Sequence, residues 1–128
     1  MHKILFRFWC LMALSSIFPG AQAVAGTETL PVAETEIAYL LQFVTQSKCE
    51  FYRNGRWYSP IDAQLHLQNK HKLLVSNHQI NTAEDFIEKV ATRSSLSGLA
   101  YKIKCGSADP MPSSQWLLGE LGRYRAVR

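Results

Sequence analysis

Ile37, Leu40, Leu41 and Val44 recur at the i, i+3, i+4, i+7 spacing of one helical face and predict a helix over residues 34–47. Tyr39 and Phe43 fall on a second face, so this helix is expected to be buried on two sides. Glu34 and Glu36 in its first turn suit the positive end of the helix dipole. The period changes at Cys49. Phe51, Tyr52, Trp57 and Tyr58 are strand formers on either side of Asn54-Gly55, and Asn-Gly supplies the positive φ values of a two-residue type I′ turn. The implied hairpin sets Arg53 against Arg56, Tyr52 against Trp57 and Phe51 against Tyr58.

Ser59-Pro60-Ile61-Asp62 opens a second helix, with Ser59 as N-cap, Pro60 in the first turn and Asp62 at the positive end of the dipole. It is expected to run to about Lys70, with Leu73 to Val75 either helical or a short extended run and residues 76–81 a loop. Thr82-Ala83-Glu84-Asp85 is a second capping pattern, followed by the buried stripe Phe86, Ile87, Val90 and Ala91. Residues 93–98 form a Ser-rich loop. Tyr101 to Cys105 alternates as a strand. After a loop over 106–113, Ser114 caps a last helix that buries Leu117, Leu121 and Tyr124. The order α-β-β-α-α-β-α predicts an α+β fold, a small three-stranded antiparallel sheet packed with about four helices.

At 128 residues, 47% of them hydrophobic, the chain has room for one domain and is too apolar to be disordered. The first 23 residues read as a cleaved secretory signal. Lys3 and Arg7 start it, an apolar run follows, Pro19-Gly20 breaks the helix and Ala21-Gln22-Ala23 offers small residues for cleavage. The run from Phe8 to Phe18 is short for a bilayer core of about 30 Å, which weighs against an uncleaved anchor, and no stable membrane span is expected after cleavage. Cys10 lies inside the run, which weighs against a lipoprotein. The flanking basic residues suit bacterial export to the periplasm. Residues 24–33 are expected to be a flexible arm, and 34–128 a single folded domain. Removing Lys3 and Arg7 leaves twelve basic residues against ten acidic ones, a net charge of +2 in place of +4. That balance does not call for nucleic acid.

Export leaves two cysteines, Cys49 and Cys105, and an oxidising compartment makes them a disulfide. Closing that loop stabilises the fold by roughly 4 kcal/mol in the chain-entropy picture. The bond also sorts the sheet. If it joins the strands, Cys49, Phe51 and Tyr58 share a face with Tyr101, Ile103 and Cys105, and that face is core. The opposite face carries Tyr52, Trp57, Lys102 and Lys104. Aromatic rings beside amines suit sugar rings, anionic glycans or an acidic partner; the plainer reading is that a helix covers the aromatics and the lysines extend past it.

Candidate chemistry is otherwise sparse. Arg53 and Arg56 read as solubilising hairpin residues, and Arg123, Arg125 and Arg128 as a solvated helix end. Asp62 and His66 are i, i+4, but no third metal ligand has suitable spacing, so no metal or cofactor is implied. Ser94, Ser95 and Ser97 have no base that spacing identifies. No Gly-x-Ser-x-Gly, His-Glu-x-x-His or P-loop occurs. The reading is a non-catalytic envelope binding module whose partner is an envelope protein or a glycan. Its candidate surface is Tyr52, Trp57, Lys102 and Lys104 together with the loop residues Ser94, Ser95, Ser97 and Gly98. A cryptic hydrolase acting through a serine or histidine is an alternative.

Two resemblances add to this. Tyr39-Leu40-Leu41, Ser47-x-Cys49-x-Phe51-x-Arg53-Asn54-Gly55, Tyr58, His66-Leu67, Thr82 to Ile87, Ser94-x-x-Ser97-Gly98-x-x-Tyr101 on to Cys105, and Trp116-Leu117-x-x-Glu120-Leu121-x-x-Tyr124-Arg125 together resemble the YfeK-like family of exported bacterial proteins of unknown function. That resemblance implies a periplasmic location and carries no activity. Separately, Ser97-Gly98-Leu99-Ala100-Tyr101 is similar to the Ser-Gly-x-x-Tyr loop with which periplasmic C-type lysozyme inhibitors plug their target. This second resemblance implies lysozyme inhibition through Ser97, Gly98 and Tyr101, although those inhibitors are β-barrels and this chain reads as helix-rich.

Overall fold

The structure is a computed structural model that describes residues 29–128. The leader over 1–23 and the first part of the expected arm lie outside the described residues. The first helix, α1, spans Thr29–Gln46. It starts five residues ahead of Glu34, so the expected arm is corrected over 29–33. Pro31 is tolerated there because the first turn needs no N–H partner. Ala33 is buried and extends the stripe of Ile37, Leu40 and Val44 one turn back. The helix stops where Ser47 turns its hydroxyl onto the Val44 carbonyl at 2.8 Å and Lys48 takes a positive φ of 57°.

The hairpin follows as β1 (Glu50–Arg53) and β2 (Arg56–Tyr58), in the register the Asn-Gly turn predicts. Asn54 and Gly55 both have positive φ, 50° and 86°, which is what a type I′ turn needs. Helix α2 spans Pro60–Ser76, and the Ser59 hydroxyl accepts the Asp62 N–H at 3.2 Å. It runs past Lys70 because its inner edge still has partners: the His71 ring meets Phe86 edge-on at 5.3 Å and Leu74 packs on the core. Leu73 to Val75 is therefore helical. Helix α3, Ala83–Lys89, is capped by Thr82, whose hydroxyl accepts the Asp85 N–H at 3.0 Å. Phe86, Ile87, Val90 and Ala91 after this cap are all fully buried.

Strand β3 is Lys102–Lys104. The expected loop over 106–113 holds a further strand, β4 (Met111–Pro112), and helix α4 begins directly after it at Ser113 and runs to Ala126. The three-stranded expectation is thus corrected to four antiparallel strands in the order β2-β1-β3-β4. Pro112, not Ser114, stands at the N-cap of α4 and makes no side-chain cap. A proline is accepted in β4 because the strand lies at the edge of the sheet, where a missing N–H breaks no ladder.

The register aligns side chains in two rows across all four strands. Tyr58, Phe51, Ile103 and Met111 form the inner row, and Trp57, Tyr52, Lys102 and Pro112 the outer one. The helices lie on the inner face. Trp116 of α4 stacks on Phe43 of α1 at 4.5 Å and meets Phe51 of β1 edge-on at 5.7 Å, which locks three elements around one indole. Cys49 and Cys105 are joined, with Cα atoms 4.3 Å apart, one step beyond the Glu50–Lys104 pair. Phe51, Tyr101 and Ile103 are buried on the face that parity assigned to the core.

Candidate functional site

The outer sheet face and the serine loop meet at the hairpin tip. On the face, the Tyr52 and Trp57 rings lie 5.4 Å apart at 60°, and the Lys102 ammonium sits 5.6 Å from the centre of the Tyr52 ring. Lys104 is half-buried and opposes Glu50. Trp57 is 42% exposed and Lys102 is exposed. The four-residue row is about 14 Å long at the usual strand spacing. Two aromatic faces, a proline ring and an amine in line are suited to the apolar faces and acidic groups of a short glycan.

The serine loop is built from within. Ser94 is buried, and its hydroxyl accepts the N–H of Leu96 at 3.2 Å and of Ser97 at 3.3 Å. Its role is to hold the turn. Ser95 is exposed. Ser97 donates to Asn54 Oδ1 and accepts the Leu99 N–H, at 2.6 and 3.2 Å. Gly98, at a φ of 72°, donates its N–H to the Ser94 carbonyl at 3.0 Å. The loop thereby presents Leu96, 96% exposed, beside the hairpin turn. Tyr101 is not part of the presented surface: it is buried, and its hydroxyl is bonded to His66.

Spacing along the sequence does not reveal a cleft between the hairpin and the N-terminal half of α2. It is lined by Phe51, Arg53, Tyr58, Asp62, His66 and Tyr101, with Ala63 and Leu67 at its floor, and its free volume is about 30 Å³. Arg53 lies 3.0 Å from His66 Nδ1, and His66 Nε2 lies 3.0 Å from the Tyr101 hydroxyl. A guanidinium only donates, so Nδ1 accepts, the imidazole is neutral and its proton is on Nε2. Burial, with Arg53 and Lys70 nearby, lowers the His66 pKa and keeps that state. Burial raises the Tyr101 pKa, so its phenol stays protonated. Both ring nitrogens are spent on protein partners, which leaves His66 no free position to act as a base. One signal for this site is present in the sequence: Arg53 shares the parity of Phe51 and so must point to the inner face.

A second polar cluster is structural. Arg125 of α4 reaches the buried Glu36 of α1 at 2.7 Å and also pairs with Glu84 of α3, while Glu120 is held by Tyr39 and Arg123. Arg125 thus ties α4 to α1 and α3 and is not simply part of a solvated helix end, whereas Arg123 pairs within α4 and is largely exposed. Among the described residues no group of three His, Cys, Asp or Glu is placed to hold a metal ion, and no helix is long and apolar enough to cross a membrane.

No curated protein and no solved structure matches the chain. The segment from residue 31 to residue 125, which runs from the first turn of α1 into the last turn of α4, matches DUF5329, a family of unknown function. The chain belongs to the DUF5329 family.

Proposed function

We propose that the chain is exported to the periplasm and works there as a non-catalytic module that binds envelope glycan through the outer face of its sheet. The YfeK-like resemblance belongs to the same reading. The observation that carries it is the uninterrupted row Trp57, Tyr52, Lys102, Pro112, which four strands align on the face opposite to the helices. Support for export comes from the leader-like first 23 residues and from a disulfide that ties β1 to β3. The absence of a free base at His66 and the structural use of Ser94 favour binding over hydrolysis.

The test is co-sedimentation of the processed protein with purified peptidoglycan. Wild type is expected in the pellet. Trp57→Ala combined with Lys102→Ala is expected to weaken binding by about tenfold or more, with an unchanged thermal midpoint because both side chains project outward. Binding that is absent in wild type, or equal in the variant, removes this reading. Detection of the chain in the cytoplasm of its own cell removes the export half.

A further inference from the structure

We infer that the cleft between the hairpin and α2 binds a carboxylate carried on a short alkyl group. Arg53 is the first reason. Arg123, Arg125 and Arg128 each face a carboxylate, but among the described residues no carboxylate lies within ion-pair distance of Arg53. Its guanidinium spends one N–H on His66 and is steadied by the Tyr58 ring at 4.8 Å. A half-buried guanidinium with most of its five donors unspent is a preorganised fork for a planar anion.

Tyr101 supplies the second donor. Its oxygen accepts the Nε2 proton of His66, so its own proton is left to give, and among the described residues it has no acceptor. The relay from Arg53 through His66 to Tyr101 therefore orients two donors on one cleft. Phe51, Ala63 and Leu67 form an apolar floor beside them, as in sites where a few polar groups orient a mostly apolar ligand.

Size and charge narrow the ligand. A free volume of about 30 Å³ suits a small head group, and the planar fork of a guanidinium matches the planar carboxylate better than a tetrahedral phosphate. Charge points the same way. His66 is neutral, Arg53 is the cation on the lining, and Asp62 on the same lining opposes any anion, a doubly charged one about twice as strongly as a singly charged one. A monoanion held by the Arg53 fork is therefore favoured over a dianion. Two sources share this chemistry, the C-terminal carboxylate of a peptide and a free short-chain acid.

The test is titration of the disulfide-intact protein, followed by the ¹⁵N signals of the His66 ring, with four probes: N-acetylalanine, propionate, N-acetylalaninamide and inorganic phosphate. Both carboxylates are expected to shift the His66 signals saturably, and the amide and phosphate are not. Tighter binding of N-acetylalanine assigns the site to peptide ends, and tighter binding of propionate assigns it to free acids. Arg53→Gln is expected to weaken the carboxylates about tenfold and Tyr101→Phe about threefold, the backbone amide spectrum of each variant establishing that it is folded. Saturable binding of the amide or of phosphate equal to that of the carboxylates overturns the inference. So does a wild-type protein that gives no saturable shift, or an Arg53→Gln protein that is folded and binds as wild type. Loss of peptidoglycan binding in the outer-face variant leaves these titrations unaffected, so the two readings fail separately.

Discussion

The Ser97 hydroxyl donates to Asn54 Oδ1 at 2.6 Å and ties the serine loop to the hairpin turn across 43 residues of sequence. Both ends of the bond lie in short turns that hold positive φ values, at Asn54, Gly55 and Gly98. Each turn is therefore the other's brace.

Loosening this brace has a local cost. Ser97→Ala is expected to lower stability by about 1 kcal/mol or less and to raise hydrogen-exchange rates at Asn54, Gly55 and Arg56. Gly98→Ala is expected to cost about 1–2 kcal/mol. The space around a Cβ there is open, so that cost is purely one of backbone conformation. Chemical denaturation checks both values.

The disulfide closes a loop with a sequence separation of 56. Cys49→Ser with Cys105→Ser is expected to lose about 4 kcal/mol by chain entropy. That is a large part of the stability of a domain this size. Urea unfolding of the double variant, beside wild type with and without reductant, measures it; the variant and the reduced wild type are expected to agree.

Arg125 neutralises a carboxylate that water hardly reaches, since the Glu36 side chain is 5% exposed. Arg125→Gln is expected to destabilise by about 3 kcal/mol, the cost of stranding a buried charge; Arg128 stays at 3.9 Å as a weak substitute. The other half of the pair behaves differently. Glu84 is 47% exposed, and Glu84→Gln is expected to cost less than about 1 kcal/mol. Paired denaturation curves separate the two.

Mild acid is expected to weaken the fold through its histidines. Burial lowers the pKa of His66, with Arg53 and Lys70 pushing the same way, and burial lowers that of His71 against a smaller opposing pull from Glu34. Each ring therefore takes a proton more readily unfolded than folded. Stability is complete above the ordinary value of 6.5 and is lost as pH falls from there through the lower folded values. The urea midpoint is expected to drop between about pH 7.5 and about pH 5, and His66→Gln is expected to flatten part of that slope.

The hairpin and its faces were legible because each step forces the next. Asn54-Gly55 demands one turn type, the turn demands one register, and a two-residue period then sends Phe51 inward and Tyr52 outward. The caps at Ser59 and Thr82 were legible for the same local reason. Strand β4 was not, because Met111-Pro112 is too short to show alternation and proline argues against a strand. The start of α1 was missed because Leu30 and Val32 are exposed and carry no stripe of their own, and from Leu30 to Ala33 only Ala33 packs inward. The relay in the cleft draws on three separate elements. Arg53 lies 13 residues from His66, and Tyr101 another 35 residues on, and no spacing along the chain announces such a meeting. The outer row was half legible: the aromatics and Lys102 followed from parity, and Pro112 entered only with the fourth strand.

Pro112 also bears on how these molecules coexist at high concentration. An outermost strand with a regular line of amide protons invites a neighbouring chain to add itself and start a fibril. Here that border is two residues long and one of them has no proton to offer. On this side the molecule offers a neighbouring chain almost nothing to add itself to.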